Sequence, residues 1–143
     1  MPEDSINIHI ADWNAERNIL AKIRRQVFIE EQNVPEDMEW DEHDSSSTHF
    51  LATLDNKVIA TARLKTDGQI GRMAVLAEYR NKGIGSKLLK FVLLTAKQQK
   101  QKNVYLHAQV SAIPFYKKHG FTACGNIFYE ANIPHREMSK KIC

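Results

Sequence analysis

Residues 80–87 read Arg-Asn-Lys-Gly-Ile-Gly-Ser-Lys, RNKGIGSK, and lie between a short apolar run and a long stretch of helical periodicity. Two glycines one residue apart, flanked by basic side chains, describe backbone built to come close to a negative charge. A strand, a Gly-rich turn and a helix start make such a site: the unpaired N–H groups of the first helical turn point outward, and the dipole adds partial positive charge. Gly83 and Gly85 keep side chains out of the way, while Arg80, Lys82 and Lys87 supply cations. Two nucleotide readings fail on spacing. A P-loop requires G-x-x-x-x-G-K-[ST], and Gly83 and Gly85 stand too close for it. A dinucleotide fingerprint requires a glycine where Leu88 stands, and belongs in the first βαβ unit rather than in mid-chain.

Working outward, Ile84, Leu88, Leu89, Val92 and Ala96 share one helical face, which predicts a helix to about residue 99. Lys97, Lys100 and Lys102 gather at its end, where cations suit the dipole, so this lysine run does not call for a nucleic acid. Before the turn, 69–75 reads as a strand, and 49–54 and 58–65 as a hairpin joined through Asp55-Asn56-Lys57. Ile6, Ile8 and Ile10 alternate as in a strand; Asp12 or Asn14 then caps a helix over about 15–30, built on Ile19, Leu20, Ile23, Val27 and Phe28. The segment 31–47 holds Pro35, three serines and the acids Glu36, Asp37, Glu39, Asp41, Glu42 and Asp44. It reads as a loop or short helix with exposed charge. Beyond the long helix come a buried strand at 104–110, a short helix at 112–118 ended by Gly120, and two strands, 121–130 and 137–142, split by Asn132-Ile133-Pro134. The order β-α-β-β-β-α-β-α-β-β predicts one α/β domain spanning 1–143, with a single sheet.

Composition sets the outer bounds. A chain of 143 residues, 43% hydrophobic and 26% charged, is one ordinary globular domain. A net charge of +3 does not argue for a nucleic-acid partner. Cys124 and Cys143 have no metal-ligand spacing, so reduced thiols and no metal site are expected. The start MPEDSINIHI is acidic where a signal peptide is basic, and no run approaches the ~18 apolar residues of a membrane span. A cytoplasmic protein without membrane attachment is expected.

Two segments carry a resemblance to a known family. Met73-Ala74-Val75, followed by Tyr79-Arg80-Asn81-Lys82-Gly83-Ile84-Gly85 and Leu88-Leu89, resembles the acetyl-CoA motif of the GNAT superfamily of N-acetyltransferases. Some thirty residues on, Ala112-Ile113-Pro114-Phe115-Tyr116-Lys117-Lys118-His119-Gly120-Phe121 resembles that superfamily's second motif. The runs VFIEEQNVPEDMEWDEHD (27–44), LHAQ (106–109) and IPHREM (133–138) extend the resemblance over nearly the whole chain, to the small bacterial ElaA-like subgroup. The resemblance implies a mixed, mostly antiparallel central sheet flanked by helices and splayed between strands 4 and 5 for acetyl-CoA. It also implies acetyl transfer to a small-molecule or peptide amine; dimers are frequent in the family.

Site residues follow by the same resemblance. The coenzyme A pyrophosphate would meet the N–H groups of Lys82, Gly83, Ile84, Gly85 and Ser86 and the charge of Arg80, with Asn81 in the same turn. The pantetheine arm would pair with backbone of Met73, Ala74 and Val75, an extended amide chain added to a strand edge. Gln109 stands where many members carry asparagine, and Phe115 packs beside the cofactor. Tyr116 takes the place of the acid that protonates the leaving thiolate; a bulged strand N–H, best placed at Val75, would stabilise the oxyanion. For the amine's proton, Glu31 is the leading carboxylate, with Asp41, Glu42, His43, Asp44, His107 and His135 as alternatives, His135 also closing the acceptor pocket. No activated nucleophile is evident, which favours direct attack in a ternary complex. Two other classes stay open: a catalytically silent acyl-CoA-binding regulatory module, and a nucleic-acid-binding domain using Arg80, Lys82, Lys87 and the lysines of 97–102.

Overall fold

The computed structural model describes residues 6–142, so the N-terminal acidic residues and Cys143 lie outside the described residues. Seven strands form one sheet in the order β1-β2-β3-β4-β5-β7-β6. They are β1 (Ile6–Ile10), β2 (Thr48–Leu54), β3 (Lys57–Leu64), β4 (Gln69–Val75), β5 (Asn103–Gln109), β6 (Thr122–Glu130) and β7 (Ile133–Lys141). Every neighbouring pair is antiparallel except β4 and β5, which are parallel. The helices are α1 (Trp13–Arg24), the single turn α2 (Glu36–Glu39), α3 (Ile84–Gln98) and α4 (Ile113–Lys118).

Local chemistry explains these boundaries. Asp12 caps α1 by accepting hydrogen bonds from the N–H groups of Asn14 (3.0 Å) and Ala15 (3.4 Å). The hairpin of β2 and β3 turns on Asp55 and Asn56, both at positive φ (50° and 67°), as the twist-matched two-residue turn requires. Gly120 at φ 90° ends α4.

The apolar face of α3 (Ile84, Leu88, Leu89, Val92, Ala96) packs on Phe50, Ala60, Ala62, Leu64, Val104 and Leu106 of the sheet. A smaller cluster of Ile23, Val27, Ala74 and Leu76 holds α1 and the turn that follows it. Ala62 and Leu64 belong to the α3 cluster while Arg63 bonds into the charge network around Arg24 of α1, so the two long helices lie on opposite faces of the sheet.

Three expectations need correction. The first helix does not run as one α-helix to about residue 30: after Arg24 it widens into a π-helix over Arg25–Glu31, an extra residue per turn that turns Phe28 and Gln32 toward the sheet's gap. The last strand begins at Ile133 rather than 137, and the turn is Ala131-Asn132, both at positive φ. Pro134 is tolerated there because β7 pairs only with β6 at that point; pairing to β5 starts at His135. The acidic segment 36–44 is not uniformly exposed. Glu39 and Asp44 are 2% and 6% exposed, bonded to Arg24 at 2.8 and 2.9 Å, while Arg63 joins Asp41 and Asp44 and Arg72 joins Glu39 and Asp41.

Candidate active site

The site begins with a defect in β4. Between the pairs Thr61↔Ala74 and Arg63↔Gly71, two residues of β4, Arg72 and Met73, oppose one of β3. Arg72 takes a φ of 49°, as the extra residue of a bulge does. The bulge bends β4 away from β5: the parallel pairing comprises Gln69↔Tyr105 and Ile70↔Leu106, and residues 71–75 have no strand partner on that side. The expected bulge and splay are both present.

A cavity of about 250 Å³ opens in this gap. Met73 lines it from β4, Leu106, His107 and Gln109 from β5, Tyr116 from α4, and His135 from β7. Phe28, Gln32 and the α2 segment close the opposite wall. The Tyr116 hydroxyl reaches toward Met73 Sδ, donating at 3.8 Å, and burial pushes its pKa up to about 12, so it carries its proton at neutral pH. Gln109 donates to Gln32 Oε1 at 2.9 Å across the gap. His107 bonds Glu130 through Nδ1 at 2.8 Å, which makes an acidic lip at the cavity's β6 side.

Past the end of β4 the chain turns into α3. Asn81 and Gly83 take φ of 63° and 79°, and Gly83 caps α3 with no side-chain hydrogen bond to its first N–H groups. A side chain at position 83 would meet open space but would strain that backbone. A Cβ at Gly85 would sit 3.5 Å from Phe115, so the first turn of α3 rests against α4, where Ser86 Oγ also lies 2.9 Å from His119 Nε2. Lys82 and Lys57 flank the ring of Tyr79.

Arg80 is held rather than free. Its Nε donates to Val75 O at 2.8 Å, and its two terminal nitrogens grip Glu31 at 2.6 and 2.8 Å. The hydrogen bond from Arg80 and its charge hold the Glu31 carboxyl below its usual range. The structure thus brings Met73, Gln109 and Tyr116 to the cavity and gathers Arg80 to Ser86 at the helix start. Glu31 does not line the cavity but sits at the rim beside Arg80. Among the other carboxylates and histidines, Asp41 and Asp44 are bound by arginines, Glu42 and His43 are exposed, and His107 and His135 line the cavity. Gln32, at the end of the first helix where the resemblance puts the acceptor cleft, lines it too, while sequence reasoning missed Arg72 and Glu130. Gly71 inside a strand pattern was the available signal for a bulge.

Residues 10–142 match the family model described as an acetyltransferase (GNAT) domain. The chain belongs to the GNAT acetyltransferase family. Among GNAT proteins it is 34% identical over 122 residues to the uncharacterized N-acetyltransferase YjcF of Bacillus subtilis (strain 168), covering 82% of this chain and 87% of that one. It is 32% identical over 131 residues to protein ElaA of Escherichia coli (strain K12), covering 86% of each. The crystal structure of Escherichia coli ElaA superposes with a TM-score of 0.84 over 94% of this chain and 99% of that one, at 27% identity. An acyl-CoA N-acyltransferase from Pseudomonas aeruginosa superposes with a TM-score of 0.85 at 28% identity, over 95% and 99%. The sheet with its one parallel pair is the GNAT fold, and the chain is an acyltransferase. Among the described residues no helix is long and apolar enough to cross a membrane, and no group of His, Cys, Asp and Glu side chains is arranged to hold a metal ion.

Proposed function

We propose that the protein transfers an acetyl group from acetyl-CoA to a primary amine by direct attack, with both substrates bound together. The observation that carries this reading is the gap itself: β4 from 71 to 75, without a strand on its β5 side, leads on into the left-handed turn at Gly83 and the uncapped start of α3. An extended amide arm fits the strand edge, and a pyrophosphate fits the N–H groups at the helix start. Tyr116 stands at the inner end of the gap as a protonated phenol, the acid for a leaving thiolate. Glu31 holds Arg80 in an exposed ion pair, which Arg80 leaves to meet the pyrophosphate when the cofactor binds. Direct attack is favoured because Cys124, the free cysteine among the described residues, lies exposed on β6, where its sulfur hydrogen-bonds to Glu137 and to no other described residue.

The test is thermal unfolding with acetyl-CoA, CoA or ATP, beside a variant combining Arg80→Ala and Gly83→Ala. Saturation at about 100 times Kd stabilises by about 2.7 kcal/mol. For a chain of 143 residues that raises Tm by about 9 °C. The rise is expected with both coenzymes, is not reproduced by ATP and is lost in the variant. No rise with either coenzyme defeats the proposal, and binding without acetyl transfer to any amine supports the silent regulatory module instead.

A further inference from the structure

The amine acceptor reaches the site with a proton that something must remove, and the structure separates the candidates. His135 pairs directly with Gln109 across β5 and β7 and with Phe128 across β6 and β7, so its side chain shares the cavity-facing side of the sheet with Gln109. The residue is 8% exposed, its ring stacked on Phe128 with centroids 6.0 Å apart. His135 Nδ1 lies 2.7 Å from Ile133 O. A carbonyl only accepts, so Nδ1 is the protonated nitrogen and the lone pair is fixed on Nε2. That nitrogen has no hydrogen-bond partner among the described residues, while His107 is engaged by Glu130 and Glu137. Of the carboxylates, Glu31, Asp41 and Asp44 are each bound by arginine, as is the cavity-lining Glu39, and Glu130 at the cavity's lip is engaged by His107.

We infer that His135 Nε2 is the general base that deprotonates the acceptor ammonium. This deepens the proposed acetyl transfer and rests on it. The alkylammonium gives one proton to Nε2, leaving an imidazolium and a neutral amine. The amine nitrogen then bonds to the thioester carbonyl carbon, whose π electrons move to oxygen. Collapse of that adduct breaks the C–S bond; the sulfur takes the proton of Tyr116, and the phenolate takes the second N–H proton. Amide and free thiol leave, and the imidazolium returns its proton to water. The hydrogen bond to Ile133 O keeps the accepting nitrogen aimed at the cavity through the cycle.

The experiment compares wild type, His135→Ala and His135→Asn in thiol-release assays with acetyl-CoA and two probes. The first is whichever of a set of polyamines, aminosugars and lysine peptides turns over fastest. The second is methoxyamine, which is already neutral at neutral pH. A base is needed only by the first, so kcat with the alkylamine should fall about 100-fold or more in both variants, against less than about 3-fold with methoxyamine. Free imidazole should restore part of the rate to His135→Ala. Equal losses with both probes, no rescue, or full activity in the variants overturn the assignment. An unchanged thermal shift by acetyl-CoA in both variants shows that they fold and bind. Absence of that shift in the wild type defeats the transferase reading, and this inference with it.

Discussion

Arg24 is the centre of the charge network that pins the acidic segment over the bulge, and its replacement by methionine tests how much of the fold hangs on it. The side chain is 1% exposed; it donates from Nε to Glu39 Oε2 (2.8 Å), from Nη1 to Asp44 Oδ1 (2.9 Å) and from Nη2 to Glu39 O (2.8 Å), with the Trp40 ring 4.9 Å away. Methionine keeps the length and apolar bulk of the stem but none of the donors. Glu39 would then keep only Arg72, and Asp44 only Arg63, for ion pairing. Removing one partner from a buried ion pair costs about 3–5 kcal/mol, because the charges left behind stay buried with part of their compensation gone. The unfolding entropy of 143 residues is about 0.3 kcal/mol/K, so Tm should fall by about 10–17 °C. Burial already raises the Glu39 carboxyl above its ordinary range, against the charges of Arg72 and Arg24, so Glu39→Gln should cost less than Arg24→Met. Thermal and urea unfolding followed by far-UV circular dichroism read both. A fall of less than about 3 °C for Arg24→Met would show that the network is relaxed by water or by movement of 36–44, and the reasoning fails.

Other outcomes follow from the same geometry. Tyr116→Phe should lower kcat by about 100-fold with KM for acetyl-CoA little changed, since the ring's packing remains and only the proton is lost; a large change in KM alone would contradict its role as acid. Glu31→Gln loosens an exposed ion pair worth at most about 1 kcal/mol, and should tighten acetyl-CoA binding by up to about fivefold in calorimetry, because Arg80 need no longer leave a charged partner. Weaker binding would mean that the pair orients Arg80 for the ligand. Burial depresses His49, whose Nε2 donates to Asp44 O at 2.7 Å, against the pull of Asp44. The unfolded chain therefore binds the proton first, and the stability His49 contributes is complete above about pH 6.5 and declines as pH falls below it. Urea midpoints between pH 7.5 and 5 should show this decline, and His49→Gln should flatten it.

How far the sequence told this story depended on the length scale of each signal. The Gly83 turn was legible because a positive φ before an uncapped helix leaves few residues to choose from, and α3 because its apolar stripe repeats over four turns. The hairpin was legible in Asp55-Asn56 for the same local reason. The π-helix was not, since one extra residue per turn over Arg25–Glu31 barely disturbs the spacing of Val27 and Phe28. Nor was the buried network. Glu39 and Asp44 look like solvated acids until Arg24, Arg63 and Arg72, distant in sequence, are folded over them. Of the site, the cofactor turn and Tyr116 could be read from local motifs. The ion pair between Glu31 and Arg80, 49 residues apart, and the free lone pair of His135 depend on tertiary geometry that no local pattern encodes.

The parallel seam between β4 and β5 has a mechanical meaning. Two rungs, Gln69↔Tyr105 and Ile70↔Leu106, stitch a four-stranded panel to a three-stranded one. The joint is short, and α3, whose apolar face packs on residues of both panels, holds them together beside it; amides along the slot should still exchange with solvent sooner than those inside either panel. A ligand lying down in the slot as an added strand would pair the open edge of β4, so ligand binding should slow exchange along that edge.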